Sequence, residues 1–270
     1  MRTAATDPSR STRDLPATRR SLALERGMAM LECFSQAPNL GVRDMSQMMS
    51  TSSATAQRYA RTLVALGFLE QNKDQRYRLA PGAADVSLVM LSMIATHLDS
   101  QPDLEELRDQ TGHTASLAVM DGPRAIYVQR VYGHGRGQYE ADLDLRTGAH
   151  LPLHSTAVGK AMLASQTAPQ QSALIDDMQL TRMAPNTITS EFALIEQLAQ
   201  IGTKGLAISD EEQAPGVRSI AQAVYDPIGG HTFAVEVTAP AADYTPKQLE
   251  RHIGPKVRTA ARFIAGQLRR

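Results

Sequence analysis

Residues 49–70, MSTSSATAQRYARTLVALGFLE, constrain the fold more than any other part of the chain. A short Ser/Thr/Ala run leads into a segment of helical period. Ala56, Ala60, Leu63 and Gly67 fall on one side of that helix, with Tyr59 and Val64 at its edges. Ala54, Gln57, Arg58 and Arg61 fall on the other. The alanines on the apolar side let this helix lie close to a neighbour. The arginines and the glutamine face away from that contact and need a polar partner. Ser52 or Ser53 is placed to cap the first turn, and Gly67 to close the last one.

The flanking residues complete a small domain over residues 21–80. Apolar residues at 24, 28, 31 and 34 predict an amphipathic helix from Ser21 to Phe34, ending before Ala37-Pro38-Asn39. Leu40-Gly41-Val42 is extended, and a second helix runs from about Arg43 to Met49 with Val42, Met45 and Met48/Met49 turned inward. Ser50 to Ser52 forms the turn before the third helix. Phe68 to Gln71 and Arg76 to Leu79 are two short strands around Asn72-Lys73-Asp74-Gln75. This is the order of a winged helix-turn-helix, whose last helix enters the major groove of DNA. Arg58 and Arg61 suit guanine and Gln57 suits adenine; Ser52, Ser53 and Thr55 suit phosphate, and Lys73 and Arg76 carry the wing's charge.

Charge distribution points the same way. Lys and Arg together equal Asp and Glu at 28 each, but residues 1–80 hold 12 basic against 7 acidic residues. Only the N-terminal third is suited to a polyanion. Residues 1–20, rich in Ser, Thr, Arg and Pro, read as a disordered basic tail, and five of the arginines belong to it. The single cysteine, Cys33, excludes an intrachain disulfide and reads as a small buried hydrophobe. No apolar run approaches the roughly 20 residues that span a bilayer, and the N-terminus has no hydrophobic signal core, so a cytoplasmic location is expected.

Residues 81–100 read as a linker helix. Val86, Val89/Met90, Met93, Ile94 and His97/Leu98 make it apolar around much of its circumference, so it packs either on a second copy or on its own domain. Residues 101–270 alternate helices and strands. Helices are expected over Leu104–Gln110, Thr156–Ala164, Gln170–Asp176 and Glu191–Ile201, with one long terminal helix from Pro246 to Leu268. Strands are expected over Thr114–Met120, Ala125–Val131, Gln138–Leu143, Ser219–Asp226 and Thr232–Thr238. The class is α+β.

The segment from SLALERGMAMLECF to QRYRLAP resembles the N-terminal domain of the IclR family of bacterial transcriptional regulators. The resemblance continues through DGPRAIYVQRV, LPLHSTAVGKAMLA, SDEEQAPGVRSIAQAVYDPIGG and TPKQLE. Ser50 stands where the family usually has Gly in the turn, so a left-handed or strained backbone is expected there. Ser52 stands where Pro often opens the recognition helix. The resemblance implies a homodimer or dimer of dimers, a pseudo-palindromic operator, and a GAF-like effector-binding domain. It further implies that the effector is lined by Ala157, Val158, Ser209, Ser219, Glu236 and Thr238. Ala157 and Val158 begin a helix, where free N–H groups favour an anionic head. Glu236 departs from the small residue common at its position and would favour an N–H, O–H or cationic group. Alternation puts residues 234, 236 and 238 on one face and Val235 and Val237 on the other, and leaves open which face is inward.

No catalytic constellation is legible, and no cofactor or metal is expected. AVGKAM lacks the first Gly and the Ser/Thr of a phosphate loop, and the run from Gly133 to Gly137 lacks dinucleotide-binding spacing. Pro152 between His150 and His154 disfavours the helix that would aim both at one metal. Ser155 beside His154 has no nucleophile-elbow context. Asp210-Glu211-Glu212 reads as a solvated acidic run, with Arg218 a partner for one member. The reading is a ligand-responsive DNA-binding regulator of a catabolic operon. Its rivals are a metabolite-processing enzyme with an accessory DNA-binding module and an effector-free architectural protein.

Overall fold

Ser21 opens the first helix by accepting a hydrogen bond from the Leu24 amide on its hydroxyl. A computed structural model describes residues 21–87, 99–134 and 145–269. The expected tail over 1–20, the strand over Gln138–Leu143 and residues 88–98 of the linker helix lie outside the described residues. The chain divides into two compact units between residues 92 and 93.

In the first unit, α1 (Leu22–Glu32) runs into a single 3-10 turn (Cys33–Ser35), and α2 (Val42–Met48) and α3 (Ser53–Ala65) follow. The wing strands are β1 (Leu69–Gln71) and β2 (Tyr77–Leu79), and α4 occupies 81–87. Met30, Phe34, Leu40, Met45, Ala56, Ala60, Leu63, Leu69 and Tyr77 form the core, and Cys33 is buried among them. Burying the two alanines of α3 on this core is what the sequence pattern required. Ser50 has φ +49°, the left-handed backbone expected of the turn, although it is not glycine. Ser52 then caps α3, its hydroxyl accepting from the Thr55 amide at 3.2 Å. Gly67, at φ +77°, reverses the chain after α3. Leu40 and Tyr77 exchange backbone hydrogen bonds of 3.0 and 2.8 Å, which adds a third edge to the wing.

The second unit comprises α5 (Gln101–Thr111), β3 (Thr114–Asp121), β4 (Arg124–Val131), β5 (His150–Pro152), α6 (Ala157–Ala164), α7 (Ala168–Asp176), α8 (Glu191–Lys204), β6 (Ala207–Asp210), β7 (Val217–Tyr225), β8 (Thr232–Pro240), α9 (Pro246–His252) and α10 (Gly254–Gln267). The strands form one antiparallel sheet in the order β5-β4-β3-β8-β7-β6. Helices cover both faces. Leu117, Val119, Ile220, Phe233, Val235 and Val237 pack on α5, α9 and α10. Ala118, Ala207, Ala221 and Ala234 lie on the opposite face with Val158, Ala161 and Met162 of α6 and Leu194 and Leu198 of α8.

Two expectations change here. The terminal helix is not continuous, because Pro255 lacks the amide and its ring meets the preceding turn, so the chain breaks at Ile253 and restarts as α10. Gly254, at that break, packs closely on the Leu206 side chain, whose Cδ1 would lie 2.9 Å from an added Cβ. Strands β5 and β6 were not foreseen; at three and four residues they are too short to show alternation.

Candidate functional site

The exposed face of α3 is a shallow surface lined by Ala54, Gln57, Arg58, Arg61, Thr62 and Ala65. The surface runs from Ala54 in the first turn to Ala65 at the end of the helix, with Gln57, Arg58, Arg61 and Thr62 between them. The Arg58 guanidinium lies 5.7 Å from the Tyr59 ring centre. Ser52 donates its hydroxyl to Thr55 Oγ1 at 2.9 Å, so both hydroxyls belong to the helix cap, while Ser53 Oγ is 3.5 Å from Ser46 Oγ. Lys73 is exposed in the wing turn, which Asn72 shapes by accepting from the Asp74 and Arg76 amides. Arg76 sits differently from Lys73. Its Nη2 donates to Asp44 Oδ2 at 3.0 Å and to the Asn39 carbonyl at 2.9 Å, tying the wing to the start of α2. Arg78 is paired with Glu70 across the wing strands.

The second site is the α6-facing side of the large sheet. Strand register sets the polar side chains next to one another in two rows. Ser209, Ser219, Thr238 and Thr114 are consecutive partners across β6, β7, β8 and β3. In the adjacent row, Glu236 pairs with Ser116, and Ser116 with Arg130. All seven side chains are buried. Towards the other end the same face carries Ala118, Ala221 and Ala234, small residues that admit α6. Polar floor and alanine floor therefore share one side of the sheet, and the helix packs on the alanines.

A β-bulge builds the edge of this floor. The β3–β4 register shifts between Leu117 and Ala118, so that Ala118 pairs with Tyr127 while Ser116 pairs with Arg130. Without the extra residue, Tyr127 and Arg130 would point to opposite faces. With it, the guanidinium lies 4.3 Å from the Tyr127 ring centre, and the Tyr127 hydroxyl donates to Glu236 Oε2 at 2.5 Å. Arg130 Nη1 also donates to the Leu145 carbonyl.

Glu236 is 1% exposed, which resolves its orientation as inward. Burial raises its pKa above the ordinary 4.5; the Tyr127, Ser219 and Thr238 hydroxyls and the Arg130 charge oppose that rise. Ala157 and Val158 begin α6, both fully buried. Thr156 caps the helix, its hydroxyl accepting from the Gly159 amide at 3.1 Å and donating to the Pro152 carbonyl at 2.7 Å. Gly159 has no room for a side chain, since a Cβ would stand 2.3 Å from Leu153 Cα. Ser209 donates to the Ser155 carbonyl at 2.8 Å, fastening β6 to the start of α6. The hydroxyls of Ser116 and Ser155 are buried with no hydrogen-bond partner among the described residues.

Beside the floor lies a buried ion pair. Lys160 is 0% exposed and its Nζ donates to Glu212 Oε1 at 2.5 Å and to the Ile208 carbonyl at 2.7 Å. Burial pushes the Lys160 pKa down and the Glu212 pKa up, and each partner's charge opposes the shift of the other. This corrects the reading of Asp210-Glu211-Glu212 as a solvated run. Asp210 and Glu211 pair with Arg218, but Glu212 turns inward. His154 is buried, with Nε2 2.9 Å from the Thr181 carbonyl and its pKa lowered chiefly by burial. It holds the 181 segment in place beside α6.

Sequence reasoning missed Thr114, Ser116, Tyr127, Arg130 and the Lys160–Glu212 pair. Thr114, Ser116 and Tyr127 lie within recognisable strands, but the bulge that adds Arg130 leaves no mark in the alternation.

Residues 23–73 match the IclR helix-turn-helix domain, and residues 90–265 match the C-terminal domain of bacterial IclR transcriptional regulators. The chain belongs to the IclR family. This IclR-family chain is 31% identical over 206 residues to the HTH-type transcriptional regulator XynR of Escherichia coli, covering 76% of this chain and 80% of the relative. It is 25% identical over 247 residues to the Pca regulon regulatory protein of Pseudomonas putida, covering 91% and 84%. Among solved structures, a transcriptional regulator from Rhodococcus sp. RHA1 superposes with a TM-score of 0.79 at 26% identity, covering 93% of this chain and 99% of that one. An IclR homologue from Microbacterium hydrocarbonoxydans, solved with 4-hydroxybenzoate, shares the fold with a TM-score of 0.75 at 22% identity, covering 92% and 99%. The IclR-family chain is accordingly a ligand-responsive transcriptional regulator with a winged helix-turn-helix and an effector-binding domain, and these relatives are named as regulators rather than enzymes. Among the described residues no helix is long and apolar enough to cross a membrane.

Proposed function

We propose that α3 reads the major groove through Gln57, Arg58 and Arg61, with Lys73 on the wing and Ser52, Ser53 and Thr55 near the phosphates. Residues 21–80 would form the DNA-binding domain, 81–100 the linker and 101–270 the effector domain. The observation that carries the DNA reading is the face of α3. Its two arginines and glutamine are exposed opposite Ala56, Ala60 and Leu63, which are buried. Arg76 is assigned a different role from the other basic residues, that of bracing the wing against α2 through Asp44. A half-exposed pair of this kind contributes about 0–1 kcal/mol.

The protein acts as a homodimer or dimer of dimers on a pseudo-palindromic operator. Supporting this, the first unit carries an apolar groove of about 780 Å³ lined by Leu24, Met28, Leu66, Leu79 and Val86, with Tyr59 and Arg58 of α3 also lining it. Leu24 and Leu66 are 66% and 63% exposed in the single chain. An open apolar surface of that size on a small domain is suited to a second copy. The small-molecule effector sits on the polar floor, beneath Ala157 and Val158 at the start of α6. It regulates a catabolic operon by binding two arrangements of the dimer with different affinity.

The test is binding of the full-length protein to its own upstream DNA at one fixed salt concentration. Arg58→Ala and Arg61→Ala should each weaken specific binding by about 1–3 kcal/mol. Unchanged affinity in the double variant would sink the assignment of α3.

A further inference from the structure

The floor holds a charge whose surroundings restrict what can lie on it. An ionised carboxylate has about four acceptor sites. Tyr127 donates to Glu236 Oε2 at 2.5 Å, and the Ser219 and Thr238 hydroxyls act on the same carboxylate. The one donor with defined geometry, Tyr127 on Oε2, leaves acceptor capacity on the carboxylate. Next to Glu236 in the sheet register is Ser116, whose hydroxyl is buried and has no partner among the described residues. A second such hydroxyl, that of Ser155, belongs to the residue whose carbonyl Ser209 holds. An acceptor with spare capacity, the orphan hydroxyl next to it in the sheet and a second orphan hydroxyl just before α6 are groups that a ligand completes.

Charge decides what kind of donor fits. Arg130 is stacked on the ring of the same tyrosine that donates to Glu236, and its charge acts on the carboxylate. When Glu236 is ionised, Arg130 balances its charge. Lys160 and Glu212 neutralise each other nearby, and burial keeps His154 towards its uncharged form. A ligand ammonium placed against Glu236 would add an uncompensated positive charge beside a guanidinium in a buried site. An aliphatic end would leave the carboxylate and the two serines short of partners. A neutral hydroxyl does neither. It donates to Glu236 and accepts from Ser116 without changing the charge of the floor.

We propose that Glu236, set by Tyr127 and Arg130, makes the effector a hydroxylated small molecule, with an O–H rather than an ammonium or an apolar group against the sheet floor. This rests on the reading of the floor as the effector site. The specificity comes from this chain's own Glu236 and from the bulge in β4 that brings Tyr127 and Arg130 to the same face.

The experiment uses full-length protein and matched sets differing at the presented group: propionate, lactate and alanine; hexanoate, 6-hydroxyhexanoate and aminocaproate; benzoate, 4-hydroxybenzoate and 4-aminomethylbenzoate. Thermal melts find the binding set and titration calorimetry measures it. In the wild type the hydroxyl member should bind about 10- to 100-fold tighter than both counterparts, the range for a hydrogen bond to a charged group. Glu236→Gln, which keeps the shape and a weaker acceptor, should reduce the preference to a few-fold, and Glu236→Met should abolish it. An apolar or ammonium member binding as tightly as its hydroxyl counterpart overturns the proposal, as does an undiminished preference in Glu236→Gln. Should Glu236→Met fail to fold, the Gln variant alone decides. If no member of any set binds the wild type, the reading of the floor as a small-molecule site falls together with the proposal; if members bind without a hydroxyl preference, only the proposal falls.

Discussion

At the scale of single residues, two buried charges do most to define the C-terminal unit. Glu236 has a pKa in the fold above its ordinary 4.5, because burial outweighs the donors around it. A carboxyl raised in this way favours the fold most at pH values below about 4.5, where it is protonated in both states. That contribution is lost as pH rises through the folded value. The charged and titrating groups facing it are Arg130 and Tyr127. Glu236→Gln should therefore gain thermal stability relative to wild type as pH is raised from about 4 to 8, and melts across that range measure the difference. A difference independent of pH would mean that Glu236 does not titrate as a buried group. Lys160 behaves otherwise, because its partner is equally buried. Lys160→Met leaves Glu212 without its cation and should cost about 3–5 kcal/mol in urea denaturation. Restoring neutrality with Lys160→Met and Glu212→Leu together should recover much of that loss.

At the scale of elements, caps and close approaches hold the functional surfaces. Ser52→Ala removes the acceptor for the Thr55 amide and should cost about 1 kcal/mol at the start of α3. Ser50→Gly should offset a similar amount, about 1 kcal/mol, since φ +49° is unfavourable for a side chain. A stability measurement showing Ser50→Gly to be strongly destabilising would mean that the serine side chain has a role the turn geometry does not supply.

Elements also show what the sequence could and could not reveal. The amphipathic wheel of α3 was legible, because one face meets a core and the other meets solvent. The orientation of Glu236 was not, because both faces of β8 are covered, one by the apolar α5 and α10 layer and the other by α6. Alternation separates two faces but does not say which of two buried faces is polar. The bulge in β4 was hidden for a related reason: one inserted residue rephases Arg130 relative to Tyr127, and strand periodicity assumes no insertion. The break at Ile253 could have been read from Gly254-Pro255, a pair that a continuous helix does not tolerate. Arg76 counts as basic in any tally, yet Asp44 and Asn39, distant in sequence, engage it.

At the scale of the whole molecule, net zero charge conceals a division of labour. The basic excess lies in the first third, which holds the basic N-terminal segment as well as the recognition helix and wing, and the remainder is acidic. DNA affinity should therefore fall with added salt, and Lys73→Ala should weaken binding similarly on all sequences while reducing the salt slope by about one. Arg58→Ala and Arg61→Ala should instead relax discrimination between the operator and mutated sites.

In the proposed function, occupation of the buried polar floor changes the grip of the recognition helices on DNA. Its most direct measurement is the affinity of the full-length protein for its upstream DNA at one salt concentration, with and without a saturating amount of the compound that most stabilises it. A change of about 5- to 150-fold, in either direction, is expected, and it should be lost in Glu236→Met. The same affinity with and without a ligand shown to bind the protein would contradict it.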